Sequence, residues 1–215
     1  MTRSFRAAVG AMALLLPLAG CQQLATIWYF IGPSQKTQKA EYKLKSPSVL
    51  ILVDDDQGLV KPPMAREDLV DALARELKGH KIAEKVTTNE ELARIRQTEP
   101  KFDQRGAREL GRLAEADTVL LLSTQTFALE DELEMASAPA KFGVTVRVID
   151  AKAESRDKVR LWPPEVNEGE GHYVEGVINA HELRRYKTAP EAHQKLAEAL
   201  AAKVAELFYD RQVEQ

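Results

Sequence analysis

The run Ser48-Val49-Leu50-Ile51-Leu52-Val53 constrains this chain more than any other stretch. It is continuous, apolar and rich in β-branched residues, with no polar position on either side of a pleat. Successive side chains of a strand point to opposite faces, so a strand of this kind must be covered on both. Val119-Leu120-Leu121-Leu122 repeats the pattern after Asp117-Thr118. Two doubly buried strands predict a sheet with helices above and below it, an α/β fold.

Helical periodicity supplies the cover. From about Ala65 to Lys78, the residues Leu69, Val70, Leu73 and Leu77 share one face, and Gly79 is the expected C-cap. Lys81 to Thr87 reads as a weaker strand. Thr88-Asn89-Glu90-Glu91 is a capping box before a short helix carrying Leu92 and Ile95. Gly106 to Ala116 places Leu110 and Leu113 on one face. Phe142 to Val148 alternates strictly, which predicts a strand with one wet face, and Lys158 to Trp162 predicts another strand. Thr188-Ala189-Pro190-Glu191 is a second capping box, opening a long helix striped by Leu196, Leu200, Val204, Leu207 and Phe208. The expected order is β-α-β-α-α-β-β-β-loop-α, α/β at the start and antiparallel at the end. This is a mixed sheet with helices on both faces, in a domain spanning about residues 47 to 210. Residues 163 to 187 read as a long loop, with Pro163-Pro164 followed by Glu165, Glu168 and Glu170 among glycines.

The chain of 215 residues is 44% hydrophobic and 29% charged, enough to close a core without disulfides or a structural metal. Its 30 basic residues against 33 acidic ones give a net charge of −3. A mildly acidic chain lacks the clustered Lys and Arg that nucleic-acid phosphates require. One cysteine excludes an intrachain disulfide and any Cys-based zinc site.

That cysteine has a telling position. Arg3 and Arg6 make a positive start, and Ala7 to Leu18 form an apolar stretch too short to span a bilayer. Leu18-Ala19-Gly20-Cys21 follows and resembles the lipobox of bacterial lipoproteins. The resemblance implies a signal peptide over residues 1–20 and acylation of Cys21, with palmitate-like chains holding the protein on a membrane. Two or more such chains hold stably, at about 0.8 kcal/mol per buried CH₂. In that family Asp after the cysteine favours the inner membrane; Gln22 implies the outer membrane, facing the periplasm. Leu24 to Ile31 is too short to span, and its Trp28 and Tyr29 suit either a membrane interface or docking on the folded domain. Gly32-Pro33-Ser34 breaks the chain, and Lys36, Lys39, Lys43 and Lys45 follow with only Glu41 against them. Residues 21–46 therefore read as a lipidated tether.

Asp54-Asp55-Asp56 ends the first buried strand, where carboxylates can hold a ligand or Mg²⁺. Val49 to Asp56 resembles the opening strand and acidic pair of a receiver domain. That resemblance requires an acceptor Asp at the end of a later strand, where Leu122 or Ser123 stands, and the receiver reading fails. The EF-hand spacing fails too, leaving a solvated strand end as the plainer reading. His80, His172, His181 and His193 do not pair at metal-ligand spacing, and no GxSxG, P-loop or HExxH occurs. The residues propose no catalysis, cofactor or metal. Arg160, Trp162 and Pro163 are the candidate partner contact, since Trp and Arg dominate interface energetics; the alternative has Trp162 closing the sheet edge as a core residue. Glu130-Asp131-Glu132 with Glu134 reads as an acidic hairpin tip.

Taken with the lipobox, the stretch Ala107-Arg108-Glu109-Leu110-Gly111-Arg112-Leu113-Ala114-Glu115-Ala116-Asp117-Thr118-Val119-Leu120 and the strand end Val146-Arg147-Val148-Ile149-Asp150-Ala151 resemble the periplasmic α/β lipoproteins. That superfamily includes curli-secretion-type lipoproteins and lipoprotein activators of penicillin-binding proteins. The resemblance implies a fold like the anticodon-binding domain and the amino-terminal domain of TolB, with no catalytic residues. It also implies a lipid-anchored envelope protein that binds another envelope protein as an accessory module of a cell-wall or assembly system. The alternatives are a subunit of an oligomeric secretion complex and a ligand- or metal-binding domain using Asp54–Asp56. Residues 123 to 140 do not alternate as the hairpins of a closed membrane barrel must.

Overall fold

The computed structural model describes residues 36–130, 132–155, 158–164 and 171–213. The expected signal peptide, Cys21 and the Trp28-Tyr29 segment lie outside these residues. Two units are distinguished. In the small one, β1 (Lys36–Gln38) pairs antiparallel with β8 (Arg211–Val213). The Arg211 guanidinium donates to the Gln38 side-chain carbonyl at 2.9 Å.

The main unit runs from Lys39 to Asp210. Its strands are β2 (Ser48–Asp54), β3 (Lys85–Val86), β4 (Thr118–Ala128), β5 (Ala140–Asp150), β6 (Arg160–Trp162) and β7 (His172–Ile178). Its helices are α1 (Met64–Gly79), α2 (Asn89–Thr98), α3 (Ala107–Leu113), α4 (Ala180–Leu183) and α5 (Ala189–Ala205). The sheet order is β3-β2-β4-β5-β6, with β7 beside β5. β2 lies parallel to β3 and β4, and the remaining pairs are antiparallel.

Both faces are covered, as the apolar runs require. Val49 and Ile51 of β2, Leu120 and Leu122 of β4 and Phe142 to Val148 of β5 in alternation turn to the large core under α1 and α5. Leu50, Val119 and Ile149 turn the other way, to a smaller cluster with Phe102, Leu110 and Ala114. α1 contributes Leu69, Val70, Leu73 and Leu77 to the large core. α5 contributes Leu196, Leu200 and Val204, with alanines between them that let it lie close to α1 and the sheet.

Helix ends follow local chemistry. Thr88 and Glu91 complete the capping box of α2: the Thr88 hydroxyl accepts from the Glu91 N–H at 3.2 Å, and Glu91 Oε2 accepts from the Thr88 N–H at 2.9 Å. At α5, Thr188 accepts from the Glu191 N–H, but the Glu191 carboxylate reaches one residue further, to the Lys187 N–H. Gly79 is not the C-cap of α1. The helix runs through it, and Lys81 takes the left-handed conformation at φ 56°, with Ile82 N–H closing back on the Leu77 carbonyl at 2.8 Å. This use of residues 80–83 is why the expected strand over Lys81–Thr87 shrinks to Lys85–Val86.

Four other expectations are corrected. Residues 163–187 contain β7 and α4, apart from 165–170, which lie outside the described residues. Gly176 concealed the strand. A Cβ there would stand 2.5 Å from the Leu200 nitrogen, so glycine is what lets α5 lie on β7. β4 continues six residues past Leu122. The second face of β5 is not wet, since Gly143 and Thr145 are buried, with the Tyr173 ring lying over Gly143. Residues 39–46, read as tether, belong to the main unit: Tyr42 N–H donates to the Leu207 carbonyl at 3.1 Å, and Asp210 accepts from the Ala40 N–H at 2.9 Å.

Gly176→Ala is expected to cost about 2–3 kcal/mol, because the neighbour that must yield is helix backbone. Gly79→Ala meets open space at a helical position and is expected to be neutral or stabilising by up to about 1 kcal/mol. Urea midpoints of the two variants check the contrast.

Candidate functional site

The order of the strands creates the site. From the carboxyl end of β2 the chain crosses one face through α1 to β3. From β3 it crosses the opposite face through α2 and α3 to β4, on the other side of β2. The chain leaves the carboxyl end of β2 for one face and that of β3 for the other, and between such diverging connections open α/β sheets leave a crevice. A cleft of about 630 Å³ lies there. Leu52 and Leu121 reach it from the strands; Arg66 and Glu67 from α1; Asn89, Leu92 and Arg96 from α2. Phe102 and Arg105 line it from the segment before α3, and Asp54, Asp55 and Asp56 from the end of β2.

The three aspartates differ in role. Asp55 builds the turn: its carboxylate accepts from the Leu59 N–H at 2.8 Å and the Val60 N–H at 3.1 Å. Arg66 stands 3.9 Å away, and the Asp55 side chain is only 2% exposed. Asp54 is half-buried and hydrogen-bonded to Asp56. Burial, chiefly, raises its carboxyl above the ordinary range, helped by the hydrogen bond and charge of Asp56 and the charge of Asp55; Arg147 pulls the other way. Asp56 is exposed. Asp54 and Asp56 thus form a hydrogen-bonded carboxyl pair at the rim.

The arginines of the facing wall are already engaged. Arg105 reaches Glu99 at 2.9 Å and Glu109 at 3.4 Å, and this partner holds the Glu99 carboxyl below its usual range. Arg96 lies over the Phe102 ring, 4.7 Å from its centroid. Among the described residues no group of three or more His, Cys, Asp or Glu is arranged to hold a metal ion. The crevice as built offers apolar walls, a carboxyl pair at one rim and paired guanidinium groups at the other.

The partner-contact candidates lie elsewhere and are not brought to the crevice. Trp162 is 9% exposed and packs with Tyr42, His172 and Phe208, its ring centroid 6.2, 5.1 and 6.3 Å from theirs. Pro163 is buried with it, and Arg160 is half-buried on β6. The tryptophan closes the sheet edge as a core residue, and its ring is not offered to a partner. Glu130, read as part of a solvated tip, instead ties its own loop: it accepts from the Ser137 and Ala138 N–H groups at 3.1 and 2.9 Å, which lowers its carboxyl. Cys21 lies outside the described residues. Arg66, Arg96, Phe102 and Arg105 escaped the sequence reading. Their one signal was position, since each flanks a segment leading from or to a buried parallel strand.

No family model matches the chain, and no curated protein matches it. Solved structures do. A single-site variant of PelC from Paraburkholderia phytofirmans, a dodecamer, is 15% identical over 80% of this chain and 97% of its own, with a TM-score of 0.46. Lipoprotein GNA1162 from Neisseria meningitidis is 11% identical over 74% of this chain and 97% of its own, with a TM-score of 0.43. The CT253 protein from Chlamydia trachomatis is 14% identical over 74% and 95%, at 0.40. Likenesses this distant carry no functional assignment.

Asp55→Ala is expected to cost about 2 kcal/mol by stripping two backbone donors of their acceptor, read as a lowered urea midpoint. Asp54 behaves oppositely. Its raised carboxyl costs the folded state stability as pH climbs above the ordinary carboxyl range. Asp54→Asn is therefore expected to match the parent near pH 3 and exceed it at neutral pH, by under about 1 kcal/mol because water screens a half-exposed group. Paired urea titrations at the two pH values measure the difference.

Proposed function

We propose that this protein is a lipoprotein of the bacterial envelope, held by an acylated Cys21, whose α/β domain is a non-catalytic binding module for another envelope component. The observation that carries the reading is the amino-terminal sequence: Arg3 and Arg6, the apolar stretch Ala7–Leu18, and Leu18-Ala19-Gly20-Cys21. Charge, length and cleavage residues agree on one address, and they leave the chain's single cysteine with a defined task. Gln22 favours the outer membrane, with the domain in the periplasm. No helix among the described residues is long and apolar enough to cross a membrane. In this reading the acyl chains are the anchor. The domain supports a binding role through its open crevice, whose rim charges are either paired among themselves or joined as carboxyls.

A second reading is favoured by one feature. The crevice opens where the strand order reverses, the usual seat of small ligands in open α/β sheets. The module then binds a small molecule there, with Asp54 and Asp56 at its rim, and presents that state to the envelope.

Mass spectrometry of the protein extracted from membranes tests the anchor. The expected amino-terminal peptide begins at residue 21 and carries the added mass of acyl chains. Cys21→Ser is expected to abolish that mass and to leave the amino-terminal segment uncleaved. A free thiol at position 21 on a protein that stays soluble when cells are broken refutes the anchor. Crosslinking in cells that recovers no protein removes the first reading and leaves the second.

A further inference from the structure

We propose that α2 is the movable wall of the crevice: it detaches from the body and returns while the rest of the fold stays intact. No residue of α2 is buried, whereas α1 and α5 each bury a full stripe. Leu92 and Ile95 are only half-covered against the small cluster around Phe102. Displacing α2 therefore carries no fully buried side chain of its own into water, a condition that favours low local stability.

Besides the half-covered Leu92 and Ile95 and the contact of Arg96 with the Phe102 ring, what holds α2 is polar and sits at its two ends. At the amino end, Asn89 Nδ2 donates to Asp71 Oδ1 at 2.8 Å and to the Glu67 carbonyl at 3.3 Å, both on α1. At the carboxyl end, Glu99 accepts from Arg105 at 2.9 Å, and Arg105 also reaches Glu109 of α3 at 3.4 Å. These groups are exposed or partly so, and water competes for each. The flanks stay fixed. β3 is paired to β2, and Phe102 is 5% exposed. Between flank and helix lie extended residues, Thr88 at ψ 161° and Glu99 at ψ 102°, the latter held extended by Pro100. The inner side of α2 lines the crevice through Asn89, Leu92, Ala93 and Arg96. Its departure widens the cleft and leaves Asp54–Asp56 in place. The inference rests on packing alone and is independent of the crevice's occupant.

A ten-residue helix is marginal in water by itself, so each excursion exposes its amides to exchange. Hydrogen exchange read by mass spectrometry on the full-length protein in detergent micelles is the test. Amides of α2 are expected to exchange about 100-fold or more faster than those of α1 and α5. Arg105→Ala and Asn89→Ala are each expected to speed α2 by about two- to fivefold further, leaving α1 and α5 unchanged. Three results overturn the proposal: α2 as protected as α1, substitutions that speed all three helices equally, or substitutions that leave α2 unchanged.

Discussion

Leu50 and Val119 face one side of the sheet while Val49, Ile51, Leu120 and Leu122 face the other. No arrangement of this chain keeps all six from water unless helices cover both sides. That requirement sends α1 to one face and α3 to the other. It also places their crossings on opposite faces, so the carboxyl end of β2 opens between diverging connections. The crevice is a by-product of burying two strands twice, and the polar residues around it are those the chain must use as it leaves one strand and approaches the next.

Close approach decides how well each face is sealed. On the large side α5 comes so near β7 that a methyl group at Gly176 would meet the backbone of Leu200. On the small side α3 approaches through Gly111, where a Cβ would stand 2.6 Å from Val119 and 2.7 Å from Ala151. Arg112 then donates to the carbonyls of Ala151 and Ala153, both at 2.8 Å, fastening α3 to the turn after β5. The Leu110-Gly111-Arg112 stretch that carried the family resemblance thus has a packing explanation: an apolar residue inward, a gap for the sheet, and a clamp on the next turn. It explains the fold and names no partner.

The parts of this structure legible in the sequence were those where one signal dominated locally. Continuous apolar runs marked β2 and the first half of β4, and Thr88 with Glu91 marked the start of α2. β7 stayed hidden because its inward-facing series includes Gly176, whose purpose is visible only with α5 in place. The second half of β4 was obscured by Ser123, Thr124 and Gln125, polar residues in a strand whose outer face is only partly covered there. Trp162 stood as a contact candidate beside its core reading because a tryptophan near an arginine and two prolines has the composition of an interface. Its burial depends on Tyr42 and Phe208, far away in sequence. Arg105 was invisible as a site residue for the same reason, since its place comes from the turn between α2 and α3 and its partners are side chains of those segments.

The two faces of the sheet therefore differ in what they can give up. The face under α1 and α5 is sealed by long apolar stripes, and loosening it uncovers large side chains such as Leu69, Leu196 and Leu200, each fully buried. The face under α2 and α3 is sealed chiefly by Phe102, Leu110 and short alanines, with ion pairs at its margin. Apolar burial resists displacement in proportion to the area uncovered, whereas exposed ion pairs exchange readily with water. Any adjustment to a bound partner is cheapest on the second face. The crevice opens on that face, beside the helix that has least to lose by moving.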